Sequence, residues 1–296
     1  MFPVIFFRLG RIIGLLAFVL ALAPALQGCS TVKVAYNQAP TLAYLYLGGY
    51  ADFSDTQTPQ IKAELGKFHA WHRQTQLPAY IDLLQKLQQK MPQDVTVGEA
   101  CEVFADVRQK ALTMADYAQT GAASVAATLT QQQLDAIQRK FAKGNAAWRE
   151  DYMTGTASDI FEKRQKSALK RSDMLYGSVN DKQRGLIDQQ IEKSRFSPAQ
   201  SYAERQRRQK DMLQTLGKVM ASPQDTAAAQ QEMRSLLARA FTPPDAAYRS
   251  YLQTVTQDGC AGFAEQHNAA TPEQRKKAVQ VLAGYEQDFK VLLGQK

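Results

Sequence analysis

Apolar side chains return along this chain at intervals of three and four. From Val97 they fall at Val97, Cys101, Phe104, Val107, Ala111, Met114 and Ala118, which is one stripe on an α-helix. Leu134, Ile137, Phe141, Trp148 and Tyr152 repeat the pattern. Val279, Leu282, Tyr285 or Glu286, Phe289 and Leu293 repeat it again near the C-terminus. The first stripe predicts that Cys101 faces the core. No short run alternates apolar with polar residues between turn signals, so no strand is predicted. Helix starts are marked too. Thr58-Pro59, Ser197-Pro198 and Thr271-Pro272 each place a capping hydroxyl before a proline suited to a first helical turn. Thr130 with Gln133, Asn180 with Gln183, Ser197 with Gln200 and Thr271 with Gln274 have capping-box spacing. Pro92, Gly121, Pro223 and Pro243-Pro244 separate the segments. The expectation is an all-α, elongated bundle of about seven to nine helices over residues 56–296, with Pro78 kinking the helix that starts near Thr58.

The N-terminus has a different pattern. Met1 to Arg11 holds two arginines and no acid, and Ile12 to Ala23 is an apolar run that Pro24 ends. That run is shorter than the roughly 20 residues a bilayer span requires, and reads as a leader. Leu26-Gln27-Gly28-Cys29 follows, and resembles the lipobox of bacterial lipoproteins. The resemblance implies cleavage after residue 28 and a lipid on Cys29. Ser30, rather than Asp, in the next position implies sorting to the periplasmic side of the outer membrane. Each buried methylene of such a lipid contributes about 0.8 kcal/mol, so two or more acyl chains (palmitate among them) hold firmly. Residues 29–55 then read as a lipidated tether carrying Tyr36, Tyr44, Tyr46, Tyr50 and Phe53, with Pro40 placed to begin a short helix. These rings are expected either to pack on the body or to rest at a membrane interface.

Export changes the meaning of the cysteines. With Cys29 assigned to lipid, Cys101 and Cys260 remain as a pair in an oxidising compartment. Either they form a disulfide or they are two buried thiols.

Two further resemblances bear on function. Leu129-Thr130-Gln131-Gln132-Gln133 matches the LTxxQ motif of the Spy-like periplasmic chaperones, with looser echoes at 179–183, 196–200 and 270–274. Through Leu129, Thr130 and Gln133 it implies a helical protein that cradles unfolded envelope proteins. Over its length the chain resembles a family of uncharacterised Gram-negative lipoproteins. The features that carry this are Leu26 to Cys29, Tyr36-Asn37, the segment Phe68 to Arg73, and the helix bearing Trp148. This resemblance implies an anchored helical body and no activity.

Composition is that of a globular protein, 45% apolar and 22% charged. The formal charge of +8 includes Arg8 and Arg11 of the leader. Residues 131–220 hold 18 Lys and Arg against 11 Asp and Glu. The densest part is Lys193, Arg195, Arg205, Arg207, Arg208 and Lys210, a candidate face for anionic lipid, lipopolysaccharide or peptidoglycan. Export and the lack of any recognition motif argue against nucleic acid. His69 and His72 lie at i, i+3 with Glu64 nearby, too sparse a set to predict a metal. No nucleophile elbow, phosphate loop or zinc-protease motif occurs, and no cofactor is expected. The sequence therefore predicts a non-enzymatic binding or envelope-maintenance role. A tethered Spy-like chaperone and an envelope hydrolase assembled from distant helices are the alternatives.

Overall fold

The computed structural model describes residues 31–295; the leader, Cys29 and Ser30 lie outside the described residues. Every regular element described is helical. Two short helices come first, α1 (Thr31–Asn37) and α2 (Ala39–Ala51). A long helix, α3, runs over Thr58–Trp71, passes through a π-helical turn at His72–Gln76, and continues over Leu77–Lys90. Then follow α4 (Val97–Ala126), α5 (Gln131–Tyr152), α6 (Ala157–Tyr176) and α7 (Asp181–Lys193). The last four are α8 (Pro198–Ala221), α9 (Thr226–Phe241), α10 (Ala246–Asn268) and α11 (Pro272–Gly294).

The eleven described helices slightly exceed the seven to nine expected: nine lie from Thr58 onward, and the other two lie in the stretch read as a tether. Local chemistry explains most of the boundaries. Capping boxes open α4, α5, α6, α7 and α11, each satisfying backbone N–H groups that have no partner within the helix. Gly177, at φ 79°, closes α6 in the left-handed conformation and donates its N–H to Asp173 O at 2.8 Å. One predicted start is displaced. Gln57, not Thr58, is the cap residue of α3, because Ser54 to Gln57 already forms a turn in which Ser54 O accepts the Gln57 and Thr58 N–H groups at 3.1 and 3.0 Å.

Pro78 follows a widened, π-helical turn at His72–Gln76. Proline lacks the N–H that would bond four residues back, and its ring crowds that carbonyl. The chain adds a residue to the turn instead, and the Leu77 N–H bonds to His72 O.

Two hydrophobic clusters organise the bundle. The first joins Ala51, Ala123, Ala126, Ile137, Leu216, Val219 and Ala229, from α2, α4, α5, α8 and α9. The second joins Met91, Tyr176, Ala270, Ala278 and Leu282, where α6 and the second half of α3 meet α11. Helix α4 runs beside α9 and α10, and Cys101 near its start is joined to Cys260 of α10, with Cα atoms 5.2 Å apart. Cys260 is fully buried and Cys101 only half-buried. The stripe predicted on α4 does not run inward throughout: Phe104 and Val107 are 46% and 55% exposed. The inward side of α4 is carried by the small residues Ala100, Ala123 and Ala126 instead.

The motif glutamines are structural. Gln133 is buried, accepts the Thr130 N–H at 3.0 Å, and exchanges amide bonds of 2.7 and 3.1 Å with Gln57. Its Nε2 also reaches Asp52 O at 3.3 Å, at the left-handed residue (φ 46°) where α2 ends. Gln183 and Gln274 repeat the arrangement in the second cluster, with Gln274 Nε2 donating to Gln183 Oε1 at 2.8 Å. Each clasp ties the N-terminal turn of one helix to that of another, and fully paired buried amides fix register. Nearby, His267 is fully buried between the Tyr176 hydroxyl and Gln93 O, both at 2.9 Å, and burial holds its pKa below the usual value.

Candidate functional site

The first cluster does not close over itself. Between α2, α3, α4, α5, α8 and α9 runs a groove with a volume of about 540 Å³. Protein interiors pack with few voids larger than a water, whose share is about 30 Å³, so a space of this size is no packing fault. It lies within the roughly 300–1,000 Å³ typical of ligand pockets.

The sequence builds it from small and large residues in alternation. Ala118, Gly121, Ala122 and Val125 put a low ridge on α4, and Tyr117 is the one large ring that α4 adds to the lining. Leu47 and Tyr50 of α2, Leu65 and Phe68 of α3, and Phe141 of α5 form the walls. Met212 of α8 and Met233 of α9 also line it, and both are flexible enough to adapt to an occupant. Buried Ile61, Ile137 and Leu216 form the floor.

Glu64 is the one charged side chain in the lining. Lys67 holds it at 2.7 Å on the exposed face of α3. It lies so close to α4 that a Cβ at Gly121 would meet Glu64 Oε2 at 2.7 Å, so glycine is what permits the approach.

One end of the groove abuts an aromatic junction at the π-helical turn. The Tyr36 hydroxyl meets His72 Nδ1 at 2.9 Å, His69 lies 4.7 Å from the Tyr36 ring, and Trp71 stacks on Tyr117 at 4.0 Å. Arg73 donates to Asn37 Oδ1 at 2.7 Å and to Gln295 O at 3.3 Å. Tyr36-Asn37 and Phe68 to Arg73, remote in sequence, therefore meet and fasten α1 to α3 and α11. Burial lowers the pKa of both His69 and His72. Among the described residues no group of three His, Cys, Asp or Glu side chains is placed to hold a metal.

The basic residues are arranged otherwise than their density suggests. Arg207 and Arg208 both bond to Glu204, at 2.7 and 2.6 Å, and Arg207 also pairs with Asp211 at 3.3 Å. Burial raises the Glu204 pKa, but the two guanidinium groups outweigh it and hold the carboxyl below its usual range. Arg195 pairs with Asp258, and Arg205 donates to Asn145 Oδ1 at 2.7 Å. Lys193 and Lys210 have no ion pair among the described residues. An anion approaching Arg195, Arg207 or Arg208 would meet a guanidinium whose charge a carboxylate already offsets.

Fold and groove together define a helical protein with an open apolar site. The chain belongs to a family of unknown function, DUF6279, which matches residues 49–243. Every residue lining the groove except Leu47 falls within that match. No curated protein and no solved structure matches the chain.

Proposed function

We propose that this chain is an outer-membrane-anchored periplasmic lipoprotein with a non-enzymatic role, and that its groove takes an acyl chain of an envelope lipid. The observation that carries this reading is the groove of about 540 Å³, walled by aliphatic, aromatic and thioether side chains with one charged residue. An acyl chain is apolar along its length and asks for few hydrogen bonds, which is what this lining offers. Burying ten methylenes contributes about 8 kcal/mol, against which the cost of immobilising the ligand is set. Cys29 supplies the membrane attachment in this reading. Lys193 and Lys210 are the residues that support contact with anionic headgroups, lipopolysaccharide or peptidoglycan.

The groove is tested with the environment-sensitive probe 1-N-phenylnaphthylamine. Its fluorescence should rise on binding, and palmitate should displace it. Ala122→Trp places an indole in the groove from an exposed position on α4, so folding should be unchanged. Probe affinity should fall about tenfold or more, equivalent to roughly 1.4 kcal/mol. Equal affinity in the two proteins would show that the probe binds elsewhere and remove the reading.

A further inference from the structure

We infer that the outer face of α1 and α2 lies in the interfacial layer of the bilayer that carries the lipid anchor. This rests on the reading of Cys29 as lipidated and adds a second, non-covalent contact to it.

The face is a stripe. Val34, Leu42, Leu45 and Tyr46 are 52%, 52%, 63% and 66% exposed. Helical bonding runs through the joint between the two helices, with Gln38 N–H to Val34 O at 3.1 Å and Leu42 N–H to Gln38 O at 2.9 Å. These four side chains therefore fall at helical spacings on one side. The opposite side is already engaged. Ala51 is buried in the first cluster, the Tyr44 hydroxyl meets Thr58 Oγ1 at 2.8 Å, and Tyr36 is held by His72. The stripe is thus a face left outward by a helix that has its place in the fold.

Its chemistry matches the boundary of a bilayer. Residues 31–51 contain no carboxylate and a single charge, Lys33. Leucines and valine suit the acyl boundary, and Tyr46 suits a depth where ring and hydroxyl meet different surroundings. No described helix is long and apolar enough to cross a membrane, so the contact lies along the surface.

Chain length fixes the occupant. Leu42 is thirteen residues beyond Cys29. The helical stretch from Thr31 to Leu42 rises about 17 Å, and the two residues before it add at most about 7 Å, so a lipid on Cys29 keeps the stripe within reach of the headgroups. Leu47 falls on the engaged side of α2, where it lines the groove.

The test uses the full chain, processed in a Gram-negative host and reconstituted in phosphatidylethanolamine–phosphatidylglycerol vesicles with brominated acyl chains. Leu45→Trp puts an indole in the stripe. Met174→Trp puts one on an equally exposed position of α6, which packs against α11. After subtraction of the wild-type signal from Trp71 and Trp148, the indole at position 45 should lose about half its fluorescence, most with shallow bromines, and the one at 174 should lose almost none. A chain that floats with the vesicles while both variants are quenched equally overturns the docked face alone. A second copy covering the stripe gives that result together with a dimer in solution. A chain that does not float overturns the anchor, and the docked face with it.

Discussion

Replacing Cys101 and Cys260 together by alanine should lower the stability of the protein by roughly 3–5 kcal/mol. The bridge spans a sequence separation of 159, and closing so long a loop in the unfolded chain corresponds to about 5 kcal/mol of entropy. The native structure gives little to offset its loss. Around Cys101 the surface of α4 is open, with Phe104 and Val107 exposed, so few apolar contacts hold that part of α4. The bridge fixes this end of α4 to α10, whose Cys260 is fully buried. Denaturant unfolding without reductant measures the effect as a shift in midpoint. Wild-type protein unfolded with reductant should move by nearly the same amount, which separates the lost crosslink from a packing change at Cys260. An unmoved midpoint in the double variant would mean that the crosslink contributes nothing.

A second large effect is expected at Cys29. A chain carrying Cys29→Ala behind a leader of the non-lipoprotein type should appear almost wholly in the soluble periplasmic fraction, whereas the wild type should sediment with outer membranes. The reason is arithmetic. Two or three acyl chains, at about 0.8 kcal/mol per methylene, hold a protein far more firmly than four partly exposed side chains on α1 and α2. Fractionation with immunoblotting reads the outcome. Sedimentation of the variant with outer membranes would show that something other than the acyl group is the anchor.

What the sequence shows of this fold follows from how local each signal is. The nine helices after Thr58 are legible because amphipathic stripes and capping boxes act within a few residues. The helix at Ala39–Ala51 shows no stripe because it is apolar on every side, so periodicity cannot reveal it, and only Pro40 hints at a start. On α4 the large apolar residues misdirect, since the helix turns its small residues inward and leaves Phe104 and Val107 outside. The LTxxQ match at Leu129 to Gln133 gives the correct helix start, but the partners of Gln133 are Asp52 and Gln57, some eighty residues away.

The site divides in the same manner. Neutralisation of Arg207 and Arg208 is readable in principle, because Glu204 precedes them by three and four residues on one helix face. The pairing of Arg195 with Asp258 across α7 and α10 is not. The groove was invisible because six helices contribute to it and its essential feature is missing volume. Gly121 and Ala122 acquire meaning only when Glu64 and Phe141 stand opposite.

The central claim, an acyl chain held in the groove, is tested most directly by native mass spectrometry of the full chain, expressed in a Gram-negative host and extracted in mild detergent. The account predicts a population carrying one non-covalent acyl lipid beyond the covalent mass, absent or sharply reduced in Ala122→Trp. Bare protein in both preparations, or equal lipid in both, would contradict it.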